Sequence, residues 1–143
     1  MSSYKKVRFT FQNSEGGDEV ESMWCIEREE GYEIDNIPFY VTELASGDIV
    51  DVREDEDGLL WFDGLRKPSG NSTIRILFAP EEDVRGVRAE LRELGCNSEL
   101  SDFDRLVSVD VPHAVDYEIV KKFLDEGMRE GRFEYEEACL GFL

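Results

Sequence analysis

Histidine is almost missing from this chain of 143 residues; His113 is the single one. A histidine-based metal pair is therefore excluded. His113 follows Pro112 at a strand-to-helix junction, with no serine or cysteine partner indicated, and reads as a surface loop residue rather than a general base. Cysteine is scarce too. Cys25, Cys96 and Cys139 are odd in number, far apart, and form no C-x-x-C, which excludes a zinc ribbon and a disulfide framework. Cys25 and Cys139 sit among apolar neighbours and read as small buried hydrophobes. Apolar runs reach about five residues, far short of the roughly 20 that span a bilayer. The opening "MSSYKKVRFTF" lacks the apolar stretch of a secretory signal, so the expected compartment is the cytoplasm.

Positive charge is also in short supply. Sixteen Lys and Arg face 34 Asp and Glu, a formal net charge of −18. Residues 1–72 hold 7 basic and 17 acidic side chains, and residues 73–143 hold 9 and 17, so the excess is not an acidic tail. A field of this sign repels nucleic acid and anionic lipid and attracts a basic protein. The chain is 41% hydrophobic, enough to build a core despite the charge.

What is present divides into two rhythms. In the first half, Val7, Phe9 and Phe11 alternate with polar residues, the period of a half-buried strand. Gly16-Gly17 marks a turn. Val20 to Glu27 predicts a second strand, with Trp24 and Ile26 on one face and Met23 and Cys25 on the other. Trp24 and Trp61 are expected to fill the core. Tyr32 and Ile34 continue the alternation, Asp48 to Val52 predicts a further strand, and Asp57-Gly58 turns it into Leu59 to Phe62. Short strands with frequent turns predict a small antiparallel β-barrel over 1–72. "RKPSGNS" at 66–72 has a loop composition and marks the boundary.

From residue 73 the order reads strand, helix, strand, strand, helix, strand. Ile74 to Phe78 is a strand. Pro80 and Glu81-Glu82-Asp83 open a helix whose stripe is Val84, Val87, Leu91 and Leu94, stopped by Gly95. "NSELS" and "RLVSVDVP" predict two strands. Asp116 caps a second helix with Ile119, Val120, Phe123, Leu124 and Met128 as its buried stripe; Gly127 weakens it and Gly131 stops it. "FEYEEACLGFL" closes as a strand. The fold class expected is α+β, a small N-terminal antiparallel β-barrel followed by a ferredoxin-like βαββαβ sandwich over 73–143.

No residue set in the sequence forms a catalytic constellation, and no cofactor is implied. "REDEDG" resembles part of a calcium loop, but with Gly58 in the sixth position Arg53 stands first and Gly64 twelfth, so it fails at both ends. It is a hairpin tip bearing four acids, Glu54, Asp55, Glu56 and Asp57, a solvated turn or a contact for basic side chains. On the last strand, Glu134, Tyr135, Glu136 and Glu137 offer a docking surface if that strand lies at an edge. "DNIPFYV", residues 35–41, reads as a bend closing the barrel, with Pro38 at a strand edge or bulge and Tyr40 as the side chain available to a partner.

Four stretches together carry a family resemblance: Glu21-Ser22-Met23-Trp24, Asp35-Asn36-Ile37-Pro38-Phe39, Gly47-Asp48-Ile49-Val50, and Ser69-Gly70-Asn71-Ser72-Thr73-Ile74-Arg75. The chain resembles the bacterial domain of unknown function 4265 family, densely over its first half and more loosely after Phe78. The resemblance carries no activity. It implies a compact acidic bacterial protein of the kind encoded beside polymorphic toxins. The function expected is a non-catalytic immunity protein that occludes a basic, nuclease-like toxin domain. The alternative is a small-molecule sensor holding an anion with Arg75, Arg105 or Arg132 between the two halves. A third reading, paired carboxylates hydrolysing a glycoside, finds no pair that sequence spacing alone brings together.

Overall fold

The computed structural model describes residues 3–103 and 105–143. The first half contains β1 (Tyr4–Gln12), β2 (Asp18–Arg28), β3 (Gly31–Ile34), β4 (Ile49–Glu54) and β5 (Leu60–Lys67). Neighbours pair antiparallel in sequence order, and β1 then meets β5 in parallel through Val7–Leu60 and Arg8–Trp61. The five strands thus form a closed ring. Its interior is Val7, Phe9, Met23, Cys25, Ile34, Val41, Leu44 and Val50, all buried. Alternation places these residues inside because side chains of period two share a face. The acidic tip between β4 and β5 turns at Gly58, whose φ of 79° suits a residue without Cβ.

Trp24 and Trp61 do not fill that core, contrary to expectation. The β1–β2 register sets Val7 opposite Met23 and Lys6 opposite Trp24, so Met23 and Cys25 point inward and Trp24 outward. Trp24 is 46% exposed and carries the Lys6 ammonium over its ring at 4.9 Å. Trp61 is half-buried; its indole donates to Asp55 at 2.8 Å and Arg53 lies over its ring.

After the connection 68–71, the second half runs β6 (Ser72–Phe78), α1 (Val84–Glu93), β7 (Asn97–Leu100), β8 (Leu106–Val111), α2 (Tyr117–Arg129) and β9 (Phe133–Cys139). Its sheet has the order β7-β8-β6-β9, every pair antiparallel. Ile74, Ile76 and Phe78 of β6 and Val107, Val109 and Val111 of β8 meet Val87, Leu91, Val120 and Leu124 of the helices in one core. The molecule is thus α+β and rich in strands.

Both helix boundaries follow from their caps. α1 begins at Val84 rather than at Pro80, because Ala79 to Glu82 closes a turn of its own and the Asp83 carboxylate accepts from Gly86 N–H. α2 starts after Asp116, which accepts from Glu118 N–H. Its buried stripe differs from the expected one. Tyr117, Val120, Leu124 and Gly127 face the sheet, whereas Ile119 and Met128 are about half exposed. Gly127 does not merely weaken the helix. A Cβ there would stand 2.1 Å from the Phe133 ring, so its absence is what lets α2 approach β9.

"DNIPFYV" is not a bend within a strand pair. Residues 35–48 leave the ring after β3 and return at β4 as a long connection without strand structure. On the way they lie on the face of the second sheet that the helices leave open: Thr73 donates to Leu44 O, Arg75 to Val41 O, and Ser108 to Ile37 O.

Candidate functional site

The connection 35–48 is held from both sides. From the ring, Glu21 shares the inward phase of Met23 and Cys25 and is buried near the start of β2. Its carboxylate accepts from three successive backbone N–H groups, Phe39 at 2.7 Å, Tyr40 at 3.0 Å and Val41 at 3.0 Å. Such charge-assisted bonds satisfy a buried anion without a cation in contact. From the sheet, Arg75 grips the same stretch through Val41 O and pairs with Glu136 at 3.1 Å. Burial pushes the guanidinium pKa below its ordinary value, while Glu136 and Glu21 draw it back.

The rest of the connection is tied as closely. Asn36 accepts from Trp24 N–H at 2.6 Å. Asp48 is buried and accepts from Ala45 N–H at 3.0 Å and Ser69 N–H at 2.8 Å. Ser69 and Asn71 both donate to Ser46 O, and Asn71 accepts from His113 N–H. His113 itself is exposed.

The latched loop covers part of the open sheet face and stops. Beyond it lies a groove of about 380 Å³. Leu77 and Leu106 line it from the sheet, Phe39 and Tyr40 from the loop, and Glu134, Tyr135 and Glu136 from β9; Arg75 lines it next to the loop. Leu77 and Tyr40 are each 45% exposed, and Tyr40 stacks on Phe11 with centroids 5.2 Å apart. The Nε of Arg75 is buried without a hydrogen-bond acceptor.

Of the residues singled out by sequence, Tyr40, Arg75, Glu134, Tyr135 and Glu136 all line the groove. The Tyr135 and Glu137 side chains nevertheless end on the helix side of β9. The Tyr135 hydroxyl donates to Asp125 and accepts from Lys121, and Glu137 accepts from the Tyr117 hydroxyl. Glu54 to Asp57 lie apart at the β4–β5 tip, where Asp55 accepts from Asp57 N–H, Leu59 N–H and the Trp61 indole and so organises the turn. Glu56 and Asp57 are exposed there. Arg105 donates to Ala79 O and Glu82 O, and Arg132 pairs with Glu82 and Glu90, so both serve the connections around α1. Glu21, Phe39, Leu77 and Leu106 were not anticipated as site residues. For Glu21 the signal was an acid in the apolar phase of β2.

Burial raises the thiol pKa of Cys25 to about 12 and of Cys96 and Cys139 to about 11, which keeps all three protonated at neutral pH. Among the described residues no group of three or more His, Cys, Asp or Glu side chains is arranged to hold a metal ion, and no helix is long and apolar enough to cross a membrane.

Residues 21–135 match the family described as Domain of unknown function (DUF4265). The chain belongs to the DUF4265 family. Within this DUF4265 protein, the motif residues Glu21, Asn36, Asp48, Ser69, Asn71, Thr73 and Arg75 all bond to the connection 35–48 or brace it from within. A crystal structure of a hypothetical protein from Neisseria gonorrhoeae is similar throughout. Its sequence is 28% identical, the TM-score is 0.85, and the alignment covers 100% of this chain and 98% of that one. No curated protein matches the DUF4265 chain.

Proposed function

We propose that this DUF4265 protein is a non-catalytic binding protein, an immunity protein that neutralises a basic, nuclease-like toxin domain by occluding it. One observation carries the proposal: an apolar groove, floored by Leu77 and Leu106 and walled by Phe39 and Tyr40, is rimmed by Glu134 and Glu136 on a chain of net charge −18. Apolar and aromatic anchors in such a groove supply affinity, and the acidic field speeds encounter with a basic surface. The exposed Glu56 and Asp57 add to the field. In the same proposal the protein acts in the cytoplasm, takes no cofactor, and avoids nucleic acid and membrane. Ring closure and the order β7-β8-β6-β9 support naming residues 1–72 a small β-barrel and 73–143 a ferredoxin-like sandwich.

The test mixes the protein with the basic toxin domain encoded beside it and measures association by stopped flow. Binding should abolish toxin activity, and the association rate should fall at least tenfold between about 0.02 and 0.5 M salt. Absence of a complex at low salt overturns the proposal. The unmet Nε of Arg75 favours a second reading, a small-molecule sensor whose ligand brings an acceptor to the groove. Glu136 and Glu21 beside that guanidinium oppose an anion there. A thermal-shift screen in which no metabolite raises the melting temperature removes this second reading.

A further inference from the structure

The edge of the second sheet extends the binding-protein reading, on which the following rests, from a surface to a mode of recognition. β9 pairs with β6 and is the last strand in the order β7-β8-β6-β9. In an antiparallel ladder, alternate residues of a central strand bond to alternate neighbours. Phe78 N–H donates to Arg105 O, toward β8, and Ala79 N–H donates to Arg132 O, toward β9. Leu77 and Arg75 therefore face β9 through Glu134 and Glu136. The backbone groups of Phe133, Tyr135 and Glu137 turn to the outer edge. Among the described residues no backbone partner meets them; the loop reaches β9 one residue later, where Glu43 N–H donates to Ala138 O.

The side chains along this edge have one sign. Glu134 and Glu136 are exposed, stand two residues apart, and share the face that bears the groove. We propose that β9 accepts an extended strand from a basic protein partner, which carries Lys or Arg at two alternate positions opposite Glu134 and Glu136. Directly opposed unlike charges stabilise a strand pair, and edge backbone supplies the remaining bonds. A second copy of the chain does not fit. Antiparallel β9–β9 pairing centred on Tyr135 sets Glu134 against the other copy's Glu136, two like charges face to face. The residue between the two cations falls on the Tyr135 side, where Lys121 already stands, and there a neutral residue suits.

The probe is a capped octapeptide alternating Lys and Thr, titrated into the full chain at low salt and followed by amide NMR. Shifts should centre on Phe133 to Glu137, and exchange of the Tyr135 amide should slow. Glu134→Gln with Glu136→Gln should weaken the peptide about tenfold. The same peptide N-methylated at alternate residues keeps its charge but cannot pair, and should not bind. Equal binding of the methylated peptide, shifts mapping elsewhere, or no binding at millimolar peptide each overturn strand addition. A toxin complex whose footprint omits β9 also overturns it and leaves the immunity proposal standing. Peptide pairing on β9 without any toxin complex does the reverse.

Discussion

Removing the Glu21 carboxylate tests whether the 35–48 connection is latched as described. Glu21→Ala deprives three backbone N–H groups of their acceptor at once. Hydrogen bonds to a charged group contribute about 1.5–3 kcal/mol each. The full value does not apply three times. Tyr40 is exposed and its N–H can turn to water, whereas Val41 is buried and its N–H cannot. A net loss of about 3–4 kcal/mol is expected. For a chain of this size each kcal/mol moves the melting temperature by about 2–4 °C, so a fall of roughly 10 °C should appear by calorimetry. Glu21→Gln keeps one acceptor oxygen and should lose about half as much. Arg75→Met releases the other side of the same stretch. A double-mutant cycle should therefore give a coupling above about 0.5 kcal/mol, because the two side chains restrain one segment. A fall of less than about 2 °C for Glu21→Ala, or strict additivity with Arg75→Met, would refute the latch.

Gly127→Ala normally stabilises an exposed helix by about 1 kcal/mol, but here the methyl would enter the Phe133 ring, and urea unfolding should show a loss of about 1–3 kcal/mol. Adding Phe133→Leu should recover part of it. Burial, with Asp48 adding, raises the Asp110 pKa above its usual 3.8, so the folded chain keeps a proton that the unfolded chain releases. Stability from this group is full below the usual value and is lost as pH rises through the raised one. Asp110→Asn should accordingly match the native melting temperature near pH 3 and exceed it near pH 7. Met23→Ala should cost about 2–5 kcal/mol by chemical denaturation, and Trp24→Ala under about 1 kcal/mol, the reverse of what their sizes alone suggest.

Most strands and both helices were legible because their burial is one-sided. Val7 and Phe9 alternate with polar residues, so one face declares itself. β2 was ambiguous because Met23-Cys25 and Trp24-Ile26 are both apolar phases. The hairpin register settles it: once Val7 and Phe9 point inward, their partners Met23 and Glu21 must follow. That register depends on the turn, which the apolar pattern does not encode. The groove was hidden for a different reason. Its residues come from the connection 35–48, β6, β8 and β9, and the connection's course over the sheet is fixed by bonds from Glu21, Thr73, Arg75 and Ser108. Each of these looks locally like a stray polar residue in a strand. Glu134 and Glu136 were noticed for their acid on the last strand, and the sheet order then places that strand at an edge. Tyr135 was separated from them only by strand alternation.

The seam between β1 and β5 gives the first half a clock. β1 and β2 stay paired from Tyr4 to Gln12 and are adjacent in the chain, so they can zip early. The parallel seam is registered only at Val7–Leu60 and Arg8–Trp61 and waits for a stretch far downstream. Loop closure of that span comes before any contact repays it. The seam should be the last part of the ring to form and the first to breathe. Hydrogen exchange by mass spectrometry should show 60–61 opening ahead of the β1–β2 hairpin, and equal protection of the two would contradict that order.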